Sequence, residues 1–212
     1  MKKWIVWIFI FYAIFLHGEK IRIMLQWYPQ AQFAGYIMAQ EKGFFEEAGL
    51  DVELLFSTGN DAPLNQLKSG NIEYCSAWLS QAISSNKDRQ LVNIAQIFQH
   101  SSLMIVAKKA SGIRCPADLN GKKVSLWGGD FSVPLQAFVR KHRLHFQELP
   151  GSYNIDMFLS GACDAASVMF YNEYNKIYLS GINYDELVTF SFAEDNDLNY
   201  PEDGLYTLNT RF

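Results

Sequence analysis

Residues 25–54 read LQWYPQAQFAGYIMAQEKGFFEEAGLDVEL. The stretch leaves an apolar, β-like run, passes through Trp27, Tyr28, Gln30, Gln32, Phe33 and Tyr36, and enters an amphipathic helical pattern. Gly43 and Gly49 are stop signals for that helix, and LDVELLF (50–56) is a second strand. Residues serving only a turn would be smaller and more polar. The aromatic and carboxamide cluster is therefore either a ligand-facing wall or core.

The same alternation continues outward from this unit. Upstream, KIRIMLQW is the first strand. Downstream, Pro63 opens a short helix through Leu67 that ends near Gly70, with Asn60 or Asp61 available as its cap. IEYCSAW, LSQAISSN and LVNIAQIF then read as strand, helix and strand. Ser101–Lys108 is an apolar, β-branched run that the pattern assigns to the end of a first unit, residues 19–108. A turn-rich segment with Pro116 at a helix start introduces a second α/β series, residues 109–194. It contains KKVSLW, FSVPLQAFVRKHRL, FQELP, YNIDMFLSG, CDAASVMF, YNEYNKIYLSG and ELVTFSF. Strands alternating with helices of this length predict parallel α/β sheets.

The bulk numbers narrow the class. The chain has 212 residues, 49% hydrophobic, enough for one large domain or two small ones. A net charge of −4 without a long basic run gives no electrostatic reason to invoke nucleic acid. Lys2 and Lys3 followed by the apolar stretch Trp4–Leu16 predict a signal peptide over residues 1–18, and hence a periplasmic or extracytoplasmic protein. The competing reading is an uncleaved anchor extended through His17 and Gly18. Cys75, Cys115 and Cys163 form neither a disulfide framework nor a zinc pattern, and the histidines do not cluster with them. No metal or cofactor is called for.

Two α/β units side by side form a cleft, and ligands in such sheets sit beyond the carboxyl ends of the strands. The opening cluster, STGND (57–61), AWLSQ (77–81), LWGGD (126–130) and MFYNE (169–173) all fall at strand ends. The candidate ligand residues are accordingly Trp27, Gln32, Phe33, Tyr36, Thr58, Gly59, Asn60, Trp78, Trp127, Gly128, Gly129, Tyr171, Asn172 and Glu173. Each has a plainer alternative. Phe33 and Tyr36, three apart, suit a core-facing helix stripe; STGND suits a helix cap; the two glycines suit a turn; Glu173 suits a first-turn acid that complements the helix dipole. No Ser–His–Asp, Cys–His or paired-carboxylate motif marks an enzyme.

The opening stretch closely resembles that of periplasmic binding proteins for thiamine pyrimidine precursors and alkanesulfonates. LKSGNIEYCSAWLSQAI, DLNGKKVSLWGG, LSGACDAASVMFYNE and NYPEDGLY follow in that family's order, so the resemblance spans residues 20–206. It implies a two-lobed type II periplasmic-binding-protein fold that closes on a small ligand and delivers it to an ABC transporter permease. It also implies that residues 195–212 begin a segment returning to the first lobe, and that the C-terminal part completing this lobe is missing. Related domains serve as sensors of membrane receptors fused to kinase or cyclase modules. The superfamily further includes pyrimidine-precursor synthases, which resemble this chain but carry a histidine where Phe33 stands and a cysteine-rich motif. The ligand implied is a flat heteroaromatic or amine-bearing molecule; Arg114, Arg140 and Arg143 lie outside the five segments, so a sulfonate is less expected.

Overall fold

The computed structural model describes residues 19–58, 62–151 and 154–211. The leader expected over residues 1–18, Gly59 and Asn60 of the candidate loop, and the proposed cap Asp61 lie outside the described residues.

The chain forms, in order, β1 (Ile21–Leu25), α1 (Ala34–Glu41), α2 (Phe44–Glu47), β2 (Val52–Phe56), α3 (Pro63–Lys68), β3 (Tyr74–Trp78), α4 (Leu79–Ser85) and β4 (Leu91–Gln96). The second series is β5 (Leu103–Lys108), β6 (Lys123–Leu126), α5 (Ser132–Lys141), β7 (Gln147–Pro150), α6 (Asp156–Leu159), β8 (Ala165–Met169), α7 (Asn175–Leu179) and β9 (Leu187–Ser191). β10 (Asp203–Leu208) follows. The helix expected across residues 34–49 is divided, because Gly43 adopts φ 74° and ends α1 before α2 begins. Among the described residues no helix is long and apolar enough to cross a membrane.

The strands make two five-stranded sheets, ordered β2-β1-β3-β10-β4 and β7-β6-β8-β5-β9. Both are mixed rather than parallel. β10 runs antiparallel to β3 and β4, and β5 runs antiparallel to β8 and β9. Local periodicity carries no information on strand direction, which is why the alternation misleads on this point. A second correction concerns β5, which the sequence pattern attaches to the first unit. It lies inside the second sheet, buried along nearly its whole length between β8 and β9. Its continuous apolar run is that of a strand covered on both faces.

The chain thus crosses between sheets twice, from β4 to β5 and from β9 back to β10. Glu202, 3% exposed, joins the two crossovers. Its Oε1 accepts from Ser101 Oγ at 2.8 Å, Ser102 N at 2.7 Å and Leu103 N at 3.2 Å. Its own N–H donates to the Phe98 carbonyl at 3.0 Å. In the first sheet, Glu73 accepts from Arg22 Nη2 and the Arg22 backbone N–H, both at 2.8 Å, and ties β1 to the start of β3. The first sheet packs Met24, Leu64, Leu67, Ile72, Cys75 and Tyr206 on one face and Ile23, Leu25 and Phe33 on the other.

In the second lobe, Gly151 ends β7 against the backbone of Leu126 and Trp127, its N–H donating to the Leu126 carbonyl at 2.6 Å. A Cβ there would stand 2.6 Å from Leu126 C and O and from Trp127 N. Backbone atoms cannot swing aside as a side-chain tip can. Gly151→Ala should therefore destabilise the protein by about 1–3 kcal/mol. The expected readout is a lower urea midpoint at unchanged m-value; an unaltered midpoint contradicts this packing.

Candidate functional site

A cavity of about 310 Å³ opens between the two sheets. The first lobe contributes Gln26, Trp27, Gln30 and Gln32 after β1, Ser57 after β2, Ala62 and Pro63 at the start of α3, Trp78 at the end of β3 and Gln81 in α4. The second contributes Trp127 and Phe131 after β6, Met169 at the end of β8, and Tyr171, Asn172 and Glu173 after it. Every contributing strand presents its carboxyl end, the position at which open α/β sheets bind ligands.

The walls are aromatic. Trp78 and Phe131 meet edge to face across the lobes, with centroids 4.4 Å apart, and Trp127 packs on Phe131 at 5.5 Å. Trp78 leaves the first sheet yet joins the core of the second lobe beside Leu103, Leu135 and Phe192. Trp27 packs edge to face on Tyr28, whose hydroxyl donates to the Thr58 carbonyl at 2.8 Å. The Trp127 backbone N–H donates to Ser167 Oγ at 2.8 Å, while its Nε1 is buried without a protein partner. Indole N–H is a donor only, so this atom awaits an acceptor.

The polar side of the cavity is built on an unusual turn. Residues 170–174 form a single π-helical turn between β8 and α7. Such turns re-aim side chains and recur at functional sites. Glu173, 2% exposed, accepts from the Met169 backbone N–H at 2.9 Å through Oε2 and from Asn172 Nδ2 at 2.6 Å through Oε1. Burial pushes its carboxyl above the usual range, against the pull of those bonds. Glu173 thus lines the cavity while holding the end of β8 through the Met169 N–H.

Behind the first-lobe wall lies Asp203, 3% exposed. Gln26 Nε2 donates to its Oδ1 at 2.7 Å, and Gln32 Nε2 donates to its Oδ2. Burial pushes this carboxyl up to about 7, and the two amide donors pull it partly back. Gln26 Oε1 is buried with no protein partner. Among the described residues lining the cavity none is Lys or Arg.

Of the candidate residues, Trp27, Gln32, Trp78, Trp127, Tyr171, Asn172 and Glu173 come together in this cavity. The others do not. Phe33 is fully buried against Ile23, Leu25 and Phe56, because the 3-10 turn at residues 31–33 rolls it inward onto the sheet. Tyr36 packs on the same cluster one turn later, its hydroxyl buried and without a protein partner. Thr58 is exposed and meets Tyr28 through its carbonyl. Gly128 and Gly129 are exposed and make the turn that aims Trp127 and Phe131 inward, Gly129 at φ 63°. Gln30, Gln81 and Met169 fall inside the segments that the sequence places at the cleft without being singled out there, while Gln26, Phe131 and Asp203 are missed. The signal for Gln26 is the repeated carboxamide in QWYPQAQ, and for Asp203 an acidic pair at the head of an apolar strand.

Two sheets of equal strand order, facing one cleft and linked by two crossovers, define a two-lobed type II periplasmic-binding-protein fold. The chain belongs to the family described as NMT1/THI5 like, which matches residues 30–211. It is 30% identical over 118 residues to the formylaminopyrimidine-binding protein of Halalkalibacterium halodurans, a match covering 55% of this chain and 36% of that one. It is 26% identical over 112 residues to the 4-amino-5-hydroxymethyl-2-methylpyrimidine phosphate synthase THI11 of Saccharomyces cerevisiae, covering 52% and 33%. The match thus spans about a third of the length of each of these relatives. Among solved structures, the periplasmic aliphatic sulphonate binding protein SsuA of Escherichia coli superposes with a TM-score of 0.67 at 19% identity, over 91% of this chain and 62% of that one.

The buried acids set a pH dependence. Asp203, Glu173 and Glu202 hold folded values raised by burial, so each contributes stability that is complete below its unfolded value and is lost as pH rises through the folded one. Glu73, Asp88, Asp118 and Asp195 are lowered, and their contribution is lost only as pH falls below about 4. The protein should therefore lose stability between pH 5 and pH 8, with Asp203 the largest contributor. Denaturant unfolding at both values checks this, and equal stability, or a slope unchanged in Asp203→Asn, contradicts it.

Proposed function

We propose that this chain is the extracytoplasmic ligand-capturing component of an ABC-type import system, taking a flat, amine-bearing heteroaromatic molecule of the aminopyrimidine class and presenting it to a membrane permease. The observation that carries this reading is the cavity itself. Its tryptophans offer faces to a planar ring, which aromatic stacking favours by about 0.5–1.5 kcal/mol beyond area burial. Its polar residues include Glu173 beside Asn172, and Gln26, whose carboxamide oxygen has no protein partner, and these carry acceptors suited to amino groups. The name of the Halalkalibacterium halodurans relative supports the same ligand class.

The lining argues against a sulfonate. An anion would be met by Glu173 and by no Lys or Arg among the described lining residues. Backbone amides alone can hold an anion, but an adjacent carboxylate opposes it.

We read the chain as a binding protein rather than an enzyme. The position where the related synthases carry histidine is Phe33, sealed in the core. Burial pushes the Cys75 thiol up to about 12, so it offers no thiolate at neutral pH. Binding would then act through hinge closure, with the ligand favouring the closed form by its differential affinity.

The test is titration calorimetry with formylaminopyrimidine. One-site binding is expected in the wild type, weakened about tenfold or more in Trp27→Ala and in Glu173→Gln. Unchanged affinity in both variants, or tighter binding of an alkanesulfonate than of the pyrimidine, would sink the proposal.

A further inference from the structure

Asp203 does not line the cavity, yet both of its carboxylate oxygens are bonded to residues that do. Gln26 Nε2 and Gln32 Nε2 take one oxygen each, and Gln30 Nε2 continues the series by donating to Gln32 Oε1 at 2.6 Å. An ionised carboxylate accepts hydrogen bonds and donates none. Each carboxamide that touches it must therefore present its NH2 group. The orientation of Gln26 is then fixed: its amide hydrogens face Asp203, and its oxygen is left buried without a protein partner. On the opposite lobe Trp127 Nε1 is likewise buried without one. Both residues line the cavity, and a buried acceptor or donor without a partner is costly unless something completes it.

We propose that Asp203 is a positioning residue that sets the polarity of the first-lobe wall, holding Gln26 as an acceptor so that the site selects ligands bearing an exocyclic amino group over those bearing a carbonyl at the same place. This rests on the cavity being the ligand site. If Asp203 is protonated or becomes an amide, it can donate to a glutamine oxygen. Gln26 can then turn its NH2 toward the ligand, and the wall loses its preference. The titratable groups bearing on Asp203 are Glu202, next to it in the chain, and the phenols of Tyr36, Tyr171 and Tyr206. Burial raises all three phenols, which stay neutral across the working range.

The experiment measures affinity for 4-amino-5-hydroxymethyl-2-methylpyrimidine and for its 4-oxo counterpart, in the wild type, Asp203→Asn and Gln26→Met, at pH 8 and pH 5.5. The wild type at pH 8 is expected to prefer the amino compound by about tenfold to a hundredfold, the effect of leaving a buried hydrogen-bonding group unpaired. That ratio should fall to within about twofold in both variants. It should also fall in the wild type at pH 5.5, as Asp203 takes up a proton, while staying flat with pH in Asp203→Asn. A wild-type ratio retained in Gln26→Met, or one insensitive to pH in the wild type, overturns the assignment even if Asp203→Asn does not fold. Equal binding of both compounds by the wild type overturns this proposal alone; binding of neither removes the proposed ligand class together with it.

Discussion

Two consecutive buried carboxylates, Glu202 and Asp203, stand where the chain returns from the second sheet to the first. Burying an ion is expensive unless its oxygens are hydrogen-bonded, so the surrounding backbone and side chains are obliged to supply donors. Glu202 takes them from Ser101, Ser102 and Leu103, and so fastens one crossover to the other. Asp203 takes them from Gln26 and Gln32, and so reaches the cavity wall. One residue joins the two crossovers, and its neighbour holds two glutamines of the cavity wall from behind.

The second lobe answers with different means. Its turn after β6 is shaped by glycine, and its turn after β8 by a π-helical insertion, so that Trp127, Phe131 and Glu173 all project toward the first lobe. Gly151 supports this from behind by allowing β7 to end directly on the Leu126 backbone. Backbone turns on one side and a hydrogen-bonded carboxamide series on the other give a cavity that is aromatic in its walls and carries carboxamides and one carboxylate at its polar positions. That combination distinguishes it in chemistry from a cationic anion-binding cleft, although the fold is shared with a sulphonate-binding protein.

Much of this is legible in the residues themselves. Apolar runs bounded by Gly and Pro locate the strands, and Pro63 and Gly70 bracket α3, because these are local signals. The five strand-end segments are legible for the same reason, and each supplies residues to the cavity. Sheet membership is not local. β5 reads as the last strand of the first unit, and only its pairing with β8 and β9 assigns it to the second. Side-chain direction within a turn is not local either. Phe33 and Trp27 belong to one aromatic cluster, yet the 3-10 turn sends Phe33 into the core while Trp27 lines the cavity. The partners of Asp203 are not local either: its acidic pair is readable at the head of a strand, but the carboxamides it holds stand 177 and 171 residues earlier.

In the proposed function, the cavity between the lobes holds a small aromatic amine. Native mass spectrometry of the gently purified chain, incubated with a mixture of aminopyrimidines and alkanesulfonates at equal concentration, tests it most directly. A single one-to-one adduct with the mass of an aminopyrimidine, lost on partial unfolding, is expected. A sulfonate adduct, or a folded chain that retains neither compound, would contradict it.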